Sequence, residues 1–126
     1  MSPGPLVAIV GPCAAGKSTL ARALRAQGYT VKELRQEHSV APRMWQKLTQ
    51  PDVLIYLDVS LEVAAQRERL ARPAPWWEEE RHFRLAHARA HCDLYIDTSS
   101  LTPDEVAQQA LQFLGQWRGG TKKAAE

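Results

Sequence analysis

Apolar residues fall into four short runs along the chain, and the runs differ in pattern. Residues 6–10 and 53–57 are continuously apolar, which predicts two strands buried on both faces of a sheet. Residues 29–34 alternate between apolar and polar, which predicts an edge strand with one face in solvent. Residues 94–96 form the last run and predict a fourth strand.

Amphipathic stretches lie between these runs and predict helices. The first covers about residues 17–27, and Gly28 follows it at the position where a left-handed residue commonly ends a helix. Two more are predicted at residues 61–72 and 76–91, separated by the prolines of 73–75. The later of these two helices has an expected buried row that consists of Phe83, Ala86 and Ala90.

Two further helices are predicted from their capping signals. Ser39 is the expected cap of a short helix that buries Met44, Trp45 and Leu48. The last helix has the clearest signal, because residues 102–105 form a capping box with proline at the first helical position. Its expected apolar face consists of Val106, Ala110, Phe113, Leu114 and Trp117.

Strands that alternate with helices predict an α/β fold. Right-handed crossovers then give a parallel sheet of about four strands with helices on both faces, which makes three layers. The length of 126 residues predicts a single domain over residues 1–118, followed by a flexible tail at 119–126.

Composition and charge limit the classes of partner. The net charge of +2 is too small to predict a nucleic-acid partner. Cys13 and Cys92 lack CxxC spacing, so neither a disulfide framework nor a zinc site is predicted. No apolar stretch approaches the length of a membrane span, and no basic residue precedes residues 6–10 as it would in a secretory signal. A cytoplasmic protein without a membrane partner is expected.

One segment carries a chemical motif. Residues 11–18 fit the pattern GxxxxGK[ST], directly after the first predicted strand and before the first helix. Glycines let main-chain N–H groups turn inward around a phosphate, and the N-terminus of the following helix adds its positive end. Lys17 supplies a charge for the β- and γ-phosphates, and the Ser18 hydroxyl is placed to ligate Mg²⁺. The predicted phosphate-binding residues are Gly11, Pro12, Cys13, Ala14, Ala15, Gly16, Lys17, Ser18 and Thr19.

Lys17 also has an ordinary interpretation, as a surface lysine that opens a helix. A positive charge in the first turn is unfavourable to the helix dipole unless an anion compensates for it. This mismatch favours the anion-binding interpretation.

With this motif in place, the chain resembles the small-molecule kinases among the P-loop NTPases, such as the nucleoside-monophosphate, cytidylate, shikimate and gluconate kinases. The resemblance extends over most of residues 6–114, and it also rests on residues 52–60 and 93–106. It implies binding of Mg²⁺ together with ATP or another nucleoside triphosphate. It also implies phosphate-neutralising roles for Arg67, Arg69 and Arg72, and contacts to the base for Thr98 and Ser99.

Each implied role has an alternative. The three arginines are equally those of a solvated helix surface, on which Arg69 and Arg72 are expected to share one face because they are three residues apart. Thr98 and Ser99 also fit an ordinary loop.

The chain departs from these kinases between residues 35 and 51, which are too few for an acceptor-binding insert and a further strand. If that strand is missing, residues 29–34 pair directly with residues 6–10, and their carboxyl end opens beside the phosphate loop. Glu37 is then the candidate to hold a magnesium-bound water or to act as general base.

Two other carboxylates lie on segments that could reach the metal. Asp58 is the alternative metal ligand, unless it only closes the turn before Ser60. Glu33 is disfavoured, because strand alternation places it on the same side as Val31.

The sequence therefore predicts a minimal phosphotransferase that passes the γ-phosphoryl group of a nucleoside triphosphate to a small acceptor, held between residues 36–45 and the arginines. Two alternatives stay open: hydrolysis without an acceptor, and a nucleotide-binding sensor or scaffold without turnover. A homo-oligomer is compatible with these residues, and nothing in them identifies the acceptor or the base.

Overall fold

The computed structural model describes residues 5–36, 39, 41, 43–79 and 83–117. Glu37, the Leu48 side chain and residues 118–126, and with them the prediction of a flexible tail, lie outside this part. Four strands form a parallel sheet in the order β2-β1-β3-β4: β1 (Leu6–Val10), β2 (Thr30–Glu33), β3 (Val53–Asp58) and β4 (Leu94–Asp97). The α/β class and the parallel four-stranded sheet are therefore confirmed.

Strand β1 lies at the centre of the sheet. Its residues Val7 to Val10 are completely buried, as are most residues of β3, which agrees with their continuously apolar pattern. Strand β2 is an edge strand in which only Val31 is buried. It pairs with β1 from Leu6↔Thr30 to Ile9↔Glu33, so the hypothesis of direct pairing between these strands is also confirmed.

Six helices complete the described part: α1 (Lys17–Ala26), α2 (Met44–Leu48), α3 (Leu61–Arg67), α4 (Trp76–Glu79), α5 (Ala86–His91) and α6 (Pro103–Gln116). Val7 and Ile9 of β1 belong to a core cluster with residues of α1, α3 and α6. Ala8 and Val10 point the other way, into a second cluster with Trp45 of α2 and Ala88 of α5. Helices thus pack on both faces of the sheet.

The two faces follow from the strand order. The chain moves from β1 in one direction to β2, and then back past β1 to β3. Crossovers of the same hand then require the intervening helices to lie on opposite faces, as α1 and α2 do. Ligands of open α/β sheets bind where the strand order reverses in this way, at the carboxyl ends of the strands.

The prediction of a helix over residues 61–72 was too long. Helix α3 ends at Arg67, because the Leu70 N–H donates to Ala65 O (2.8 Å) and the Arg69 N–H donates to Gln66 O (3.0 Å). This is the Schellman pattern, with Arg69 as its left-handed residue (φ 58°). Arg69 and Arg72 therefore do not share a helical face.

The prediction for residues 76–91 was wrong in its buried row. The Phe83 side chain is 70% exposed, and Ala86 and Ala90 are exposed as well. The buried positions are Leu85 and Ala88, because α5 begins only at Ala86 and so has a different phase from one continuous helix.

The predicted Ser39 cap is also wrong, whereas the last helix is as predicted. Helix α2 begins at Met44 after Arg43, and the Ser39 hydroxyl instead accepts from the Ala41 N–H (3.1 Å). In α6, Thr102 and Glu105 form the capping box, and the predicted apolar residues are all buried or partly buried, as are Ala107 and Leu111. Within the described ranges, no helix has both the length and the apolar character that crossing a bilayer needs.

Candidate functional site

The loop after β1 is tightly packed at its first residue. Gly11 has a φ of 156°, and a Cβ placed on it would lie 2.1 Å from Leu57 O of β3. Only glycine fits this approach between two backbones. Gly11, Pro12 and Ala15 are buried, whereas Gly16, Ser18 and Thr19 are exposed and Cys13, Ala14 and Lys17 are half-buried.

The middle of the loop turns twice into the left-handed region. Ala14 has a φ of 68° and Gly16 has a φ of 95°, and the Ala15 N–H donates to Pro12 O (3.3 Å). Consecutive turn conformations of this kind direct main-chain N–H groups into a concave surface that suits anions. For Ala14, which carries a Cβ, the left-handed conformation costs roughly 1 kcal/mol.

Helix α1 begins at this loop without a side-chain cap. In the described part of the chain, no side chain caps α1 and no acidic residue lies in its first turn. The other two helices of at least seven residues are both capped, α3 by Ser60 and α6 by Thr102. The N–H groups of the first turn have no partners within the helix, and they carry the positive end of its dipole.

The Lys17 side chain folds back over the loop. Its Nζ donates to Gly11 O (2.9 Å) and to Pro12 O (3.2 Å). The ammonium group is therefore held between the start of the loop and the start of α1. Its charge adds to the positive end of the helix instead of lying in solvent.

The Ser18 hydroxyl has a carboxylate partner that the sequence analysis disfavoured. Ser18 Oγ donates to Glu33 Oε1 at 2.7 Å. Strand alternation does place Glu33 on the side of Val31, but that side is the one on which α1 packs. The same alternation therefore brings Glu33 to the first turn of α1. The missing information was that α1 packs on this side of β2.

The Asp58 carboxylate accepts hydrogen bonds from Val59 and from Tyr95 of the neighbouring strand. Its Oδ1 accepts from the Val59 N–H (2.9 Å), and its Oδ2 accepts from the Tyr95 hydroxyl (2.5 Å). Burial and the hydrogen bond to Asp58 raise the pKa of Tyr95 to about 12. These contacts correspond to the turn-closing alternative that was left open for Asp58.

Arg67 links the loop after β1 to the loop after β4. Its Nη1 donates to Ala14 O (2.8 Å) and to Thr98 Oγ1 (3.0 Å), and its Nη2 donates to Thr98 O (2.6 Å). The buried Thr98 hydroxyl also lies within hydrogen-bonding distance of Ala15 O and Asp58 O. Arg69 and Arg72 are exposed beyond the end of α3, so Arg67 is the one of the three arginines that the structure joins to the loop.

A cleft of about 380 Å³ opens beside the loop. Arg67 and Thr98 line it together with residues 14–16, and Leu101, Pro103 and Val106 supply apolar surface. The Ser99 hydroxyl accepts from the Ser60 N–H (2.8 Å) at the start of α3. The cleft combines a flat apolar wall with a guanidinium group and a hydroxyl, next to the positive end of α1.

A larger cavity of about 610 Å³ lies near the amino ends of β3 and β4, between α2 and α5. Asp52 and Asp93 line it and precede β3 and β4. Each carboxylate accepts a main-chain N–H at 2.8 Å, from Leu6 and Leu54 respectively. These acidic residues hold the beginnings of strands, at the end of the sheet away from the loop that follows β1.

The protein side supplies few metal ligands. Among the residues described, no group of three or more His, Cys, Asp and Glu side chains could hold a metal ion. Ser18 and Glu33 fit Mg²⁺, which usually takes only one or two protein groups and completes its shell with water and substrate phosphates.

The sequence was also compared with known proteins. No protein-family model matches it, and no curated protein matches it.

Proposed function

We propose that this chain is a P-loop NTPase of the small-molecule kinase type, which binds Mg²⁺ with a nucleoside triphosphate and transfers the γ-phosphoryl group. The observation that carries the proposal is the uncapped N-terminus of α1, with the Lys17 ammonium group folded over the loop that precedes it. A cation at this end of a helix is unfavourable unless negative charge compensates for it, to which the exposed Glu33 carboxylate at Ser18 already contributes. A polyphosphate is the anion that a concave loop of main-chain N–H groups suits.

Each group of the loop would have its own role in binding the nucleotide and Mg²⁺. The main-chain N–H groups at residues 14–18 would bind the β-phosphate, and Lys17 would neutralise charge on the β- and γ-phosphates. Ser18 and Glu33 would hold Mg²⁺, directly or through water, and the metal would neutralise charge that develops on the phosphoryl group. The hydrogen bond between Ser18 and Glu33 supports this pairing, in preference to Asp58. Glu37 stays a candidate general base.

The cleft beside the loop is the proposed site of the base. Its apolar wall at Leu101, Pro103 and Val106 would pack against one face of a planar ring. Arg67 would act mainly by holding residues 14 and 98 in place, because its guanidinium group already binds both carbonyl groups. Arg69 and Arg72, which are exposed beyond the end of α3, stay candidates for charge neutralisation.

Hydrolysis without an acceptor is the second candidate function. In the described part of the chain, α2 is the only helix between β2 and β3, and it has five residues. Such a short segment offers little surface for an acceptor. A non-catalytic nucleotide sensor is the outcome if binding occurs without turnover.

The decisive experiment compares Lys17→Ala with Lys47→Ala, an exposed lysine on α2. Thermal denaturation is recorded with and without Mg-ATP, Mg-GTP and Mg-CTP. At a concentration of 100 times Kd, a bound nucleotide stabilises the wild type and Lys47→Ala by about 2.7 kcal/mol. Lys17→Ala is expected to fold but to lose this stabilisation. An equal shift in both variants would exclude Lys17 from the site.

Phosphate release and phosphoryl transfer then separate the candidate functions. Wild-type protein is incubated with Mg-ATP alone and with nucleoside monophosphates or sugar acids. Glu33→Gln is expected to lose the Mg²⁺-dependent part of nucleotide affinity, whereas Glu68→Gln, an exposed residue at the end of α3, keeps it. Turnover that no acceptor stimulates supports a hydrolase, and binding without turnover supports a sensor.

A further inference from the structure

Helix α2 is joined to α5 by one indole and one imidazole. Trp45 Nε1 donates to His87 Nδ1 at 3.1 Å, and the two ring centroids are 5.7 Å apart. Trp45 is only 6% exposed and belongs to the core cluster of this face. Because an indole N–H can only donate, the contact requires an unprotonated Nδ1 on His87.

A second imidazole lies on the first. The rings of His87 and His91 stack with centroids 4.2 Å apart, and His91 Nδ1 is 2.8 Å from His87 O, to which it donates. Two protonated rings at this separation would repel each other. The arrangement therefore suits a neutral His87.

The groups around His87 also disfavour its charged form. Burial lowers the pKa of His87 below 6.5, and repulsion from His91 and from Arg43, just before α2, lowers it further. From the sheet, β3 presents Tyr56 and Asp58 to this face, and the Asp58 carboxylate is bound by Tyr95. Arg84 lies two residues before α5 and contacts this region through its main-chain O, which accepts from Gln36.

Trp45 is also connected to the end of β2. Its main-chain N–H donates to Gln36 Oε1 (2.8 Å), and Gln36 Nε2 donates to Ala41 O (2.8 Å) and to Arg84 O (2.9 Å). Gln36 is 1% exposed and lies three residues after Glu33. A buried amide thus joins α2, the segment before α5 and the carboxyl end of β2.

We propose that His87 is a pH-sensitive latch, whose neutral ring holds Trp45 and α2 against α5. A proton added to Nδ1 places two N–H groups against each other, so the hydrogen bond breaks and Trp45 is released. Release of Trp45 loosens the Gln36 contacts and, with them, the end of β2 that carries Glu33. The effect on nucleotide binding rests on the proposed function, whereas the latch itself does not.

The direction of the pH effect follows from the lowered pKa of His87. Unfolded protein binds this proton near pH 6.5, and folded protein binds it only at lower pH. The contribution of the latch to stability is therefore complete above pH 6.5 and declines as the pH falls from there toward the folded pKa.

NMR of ¹⁵N-labelled protein tests the latch without nucleotide. The Trp45 indole N–H and the His87 ring are followed from about pH 7.5 to about pH 5. Both are expected to change with one midpoint below 6.5. In His87→Asn, an amide oxygen takes the place of Nδ1 as acceptor, so the indole resonance should stay constant. An indole that ignores the titration of His87, or that changes equally in His87→Asn, would overturn the latch.

Two further variants guard against a folding artefact. Trp45→Phe keeps an aromatic side chain but removes the donor, so the pKa of His87 should rise toward 6.5. His91→Gln keeps the contact between Trp45 and His87 and removes a neighbouring charge, so the same pKa should rise while the indole still follows it. A His87 pKa that is unchanged in both variants would contradict the assignment.

Affinity for Mg-ATP over the same pH range tests the coupling. Wild-type affinity should fall by at least about fivefold through the His87 midpoint, and His87→Asn should show no such fall. An unchanged wild-type affinity overturns the coupling to the loop. If no nucleotide binds at any pH while the indole follows His87, the proposed function fails and the latch stands.

Discussion

Gly11 is the residue whose identity has the most direct physical cause. Its Cα lies so close to β3 that any Cβ would meet Leu57 O, and a φ of 156° adds to the strain of a larger residue. The close contact joins two backbones, so no side-chain rotation can relieve it. The first glycine of the motif is therefore needed by the fold, whether or not a phosphate binds.

Gly11→Ala is expected to lower the free energy of unfolding by at least about 2 kcal/mol, because the loop or β3 must move. Gly115→Ala is the matched control: a Cβ there meets nothing within 4 Å, and the residue lies in α6. It should raise the free energy of unfolding by about 0.5–1 kcal/mol. Urea denaturation measures both, and a Gly11→Ala protein as stable as the wild type would contradict the clash.

Glu33 shows what residue patterns leave out of a site. The segment from Gly11 to Ser18 could be identified from the sequence, because every part of it is local. Glu33 reaches Ser18 because α1 packs on this side of β2, which is a contact between distant residues. Alternation specified the face correctly, but not the neighbour that the face would meet.

At the scale of elements, the end of one helix could be predicted from the sequence and the end of another could not. Helices α1 and α3 both end in the Schellman pattern, with Gly28 and Arg69 as the left-handed residues. Gly28 was predicted because glycine favours that conformation, whereas arginine gives no such signal. The missed end at Arg67 then removed the shared face expected for Arg69 and Arg72. The four strands and α6 could be predicted because their patterns are regular over their whole length.

The cap of α6 is expected to act on the stability of the whole sheet. Thr102 Oγ1 accepts from the Glu105 N–H, and the next turns bury Val106, Ala110 and Leu114 against the core. Thr102→Ala should lower the free energy of unfolding by about 1 kcal/mol, whereas Thr102→Ser keeps the oxygen and should lose less than half of that. Chemical denaturation of the two variants is the measurement, and equal losses would mean that the methyl group matters and not the cap.

At the scale of the molecule, the residues of the candidate site lie together at the carboxyl ends of the strands. The loop at residues 11–16, Glu33, Arg67 and Thr98 all follow or end strands, or lie next to their carboxyl ends. At the amino ends of the strands, Asp52 and Asp93 hold the beginnings of strands. Strand β1 connects the two ends of the sheet, since it is an interior strand and leads directly into the loop.

This central position predicts a pattern of hydrogen exchange. Amides of β1 and β3 pair inside the sheet and are almost completely buried, so they should exchange only when the whole molecule opens. Paired amides of the edge strands β2 and β4 should exchange faster, through local opening. Exchange measured by NMR checks this order, and equal protection of β1 and β2 would contradict it.

Mg-ATP should change this pattern in a way that reports binding without any assay of turnover. Global opening destroys the loop, so nucleotide at 100 times Kd should slow exchange in β1 and β3 by about 100-fold. The Lys17→Ala protein has the same sheet but lacks the ammonium group over the loop, so its core amides should not slow. If the core of both proteins slows equally, the nucleotide binds somewhere other than the loop. If neither slows, the loop is a structural turn, in which the contact with Leu57 explains Gly11 and the left-handed φ of 95° explains Gly16.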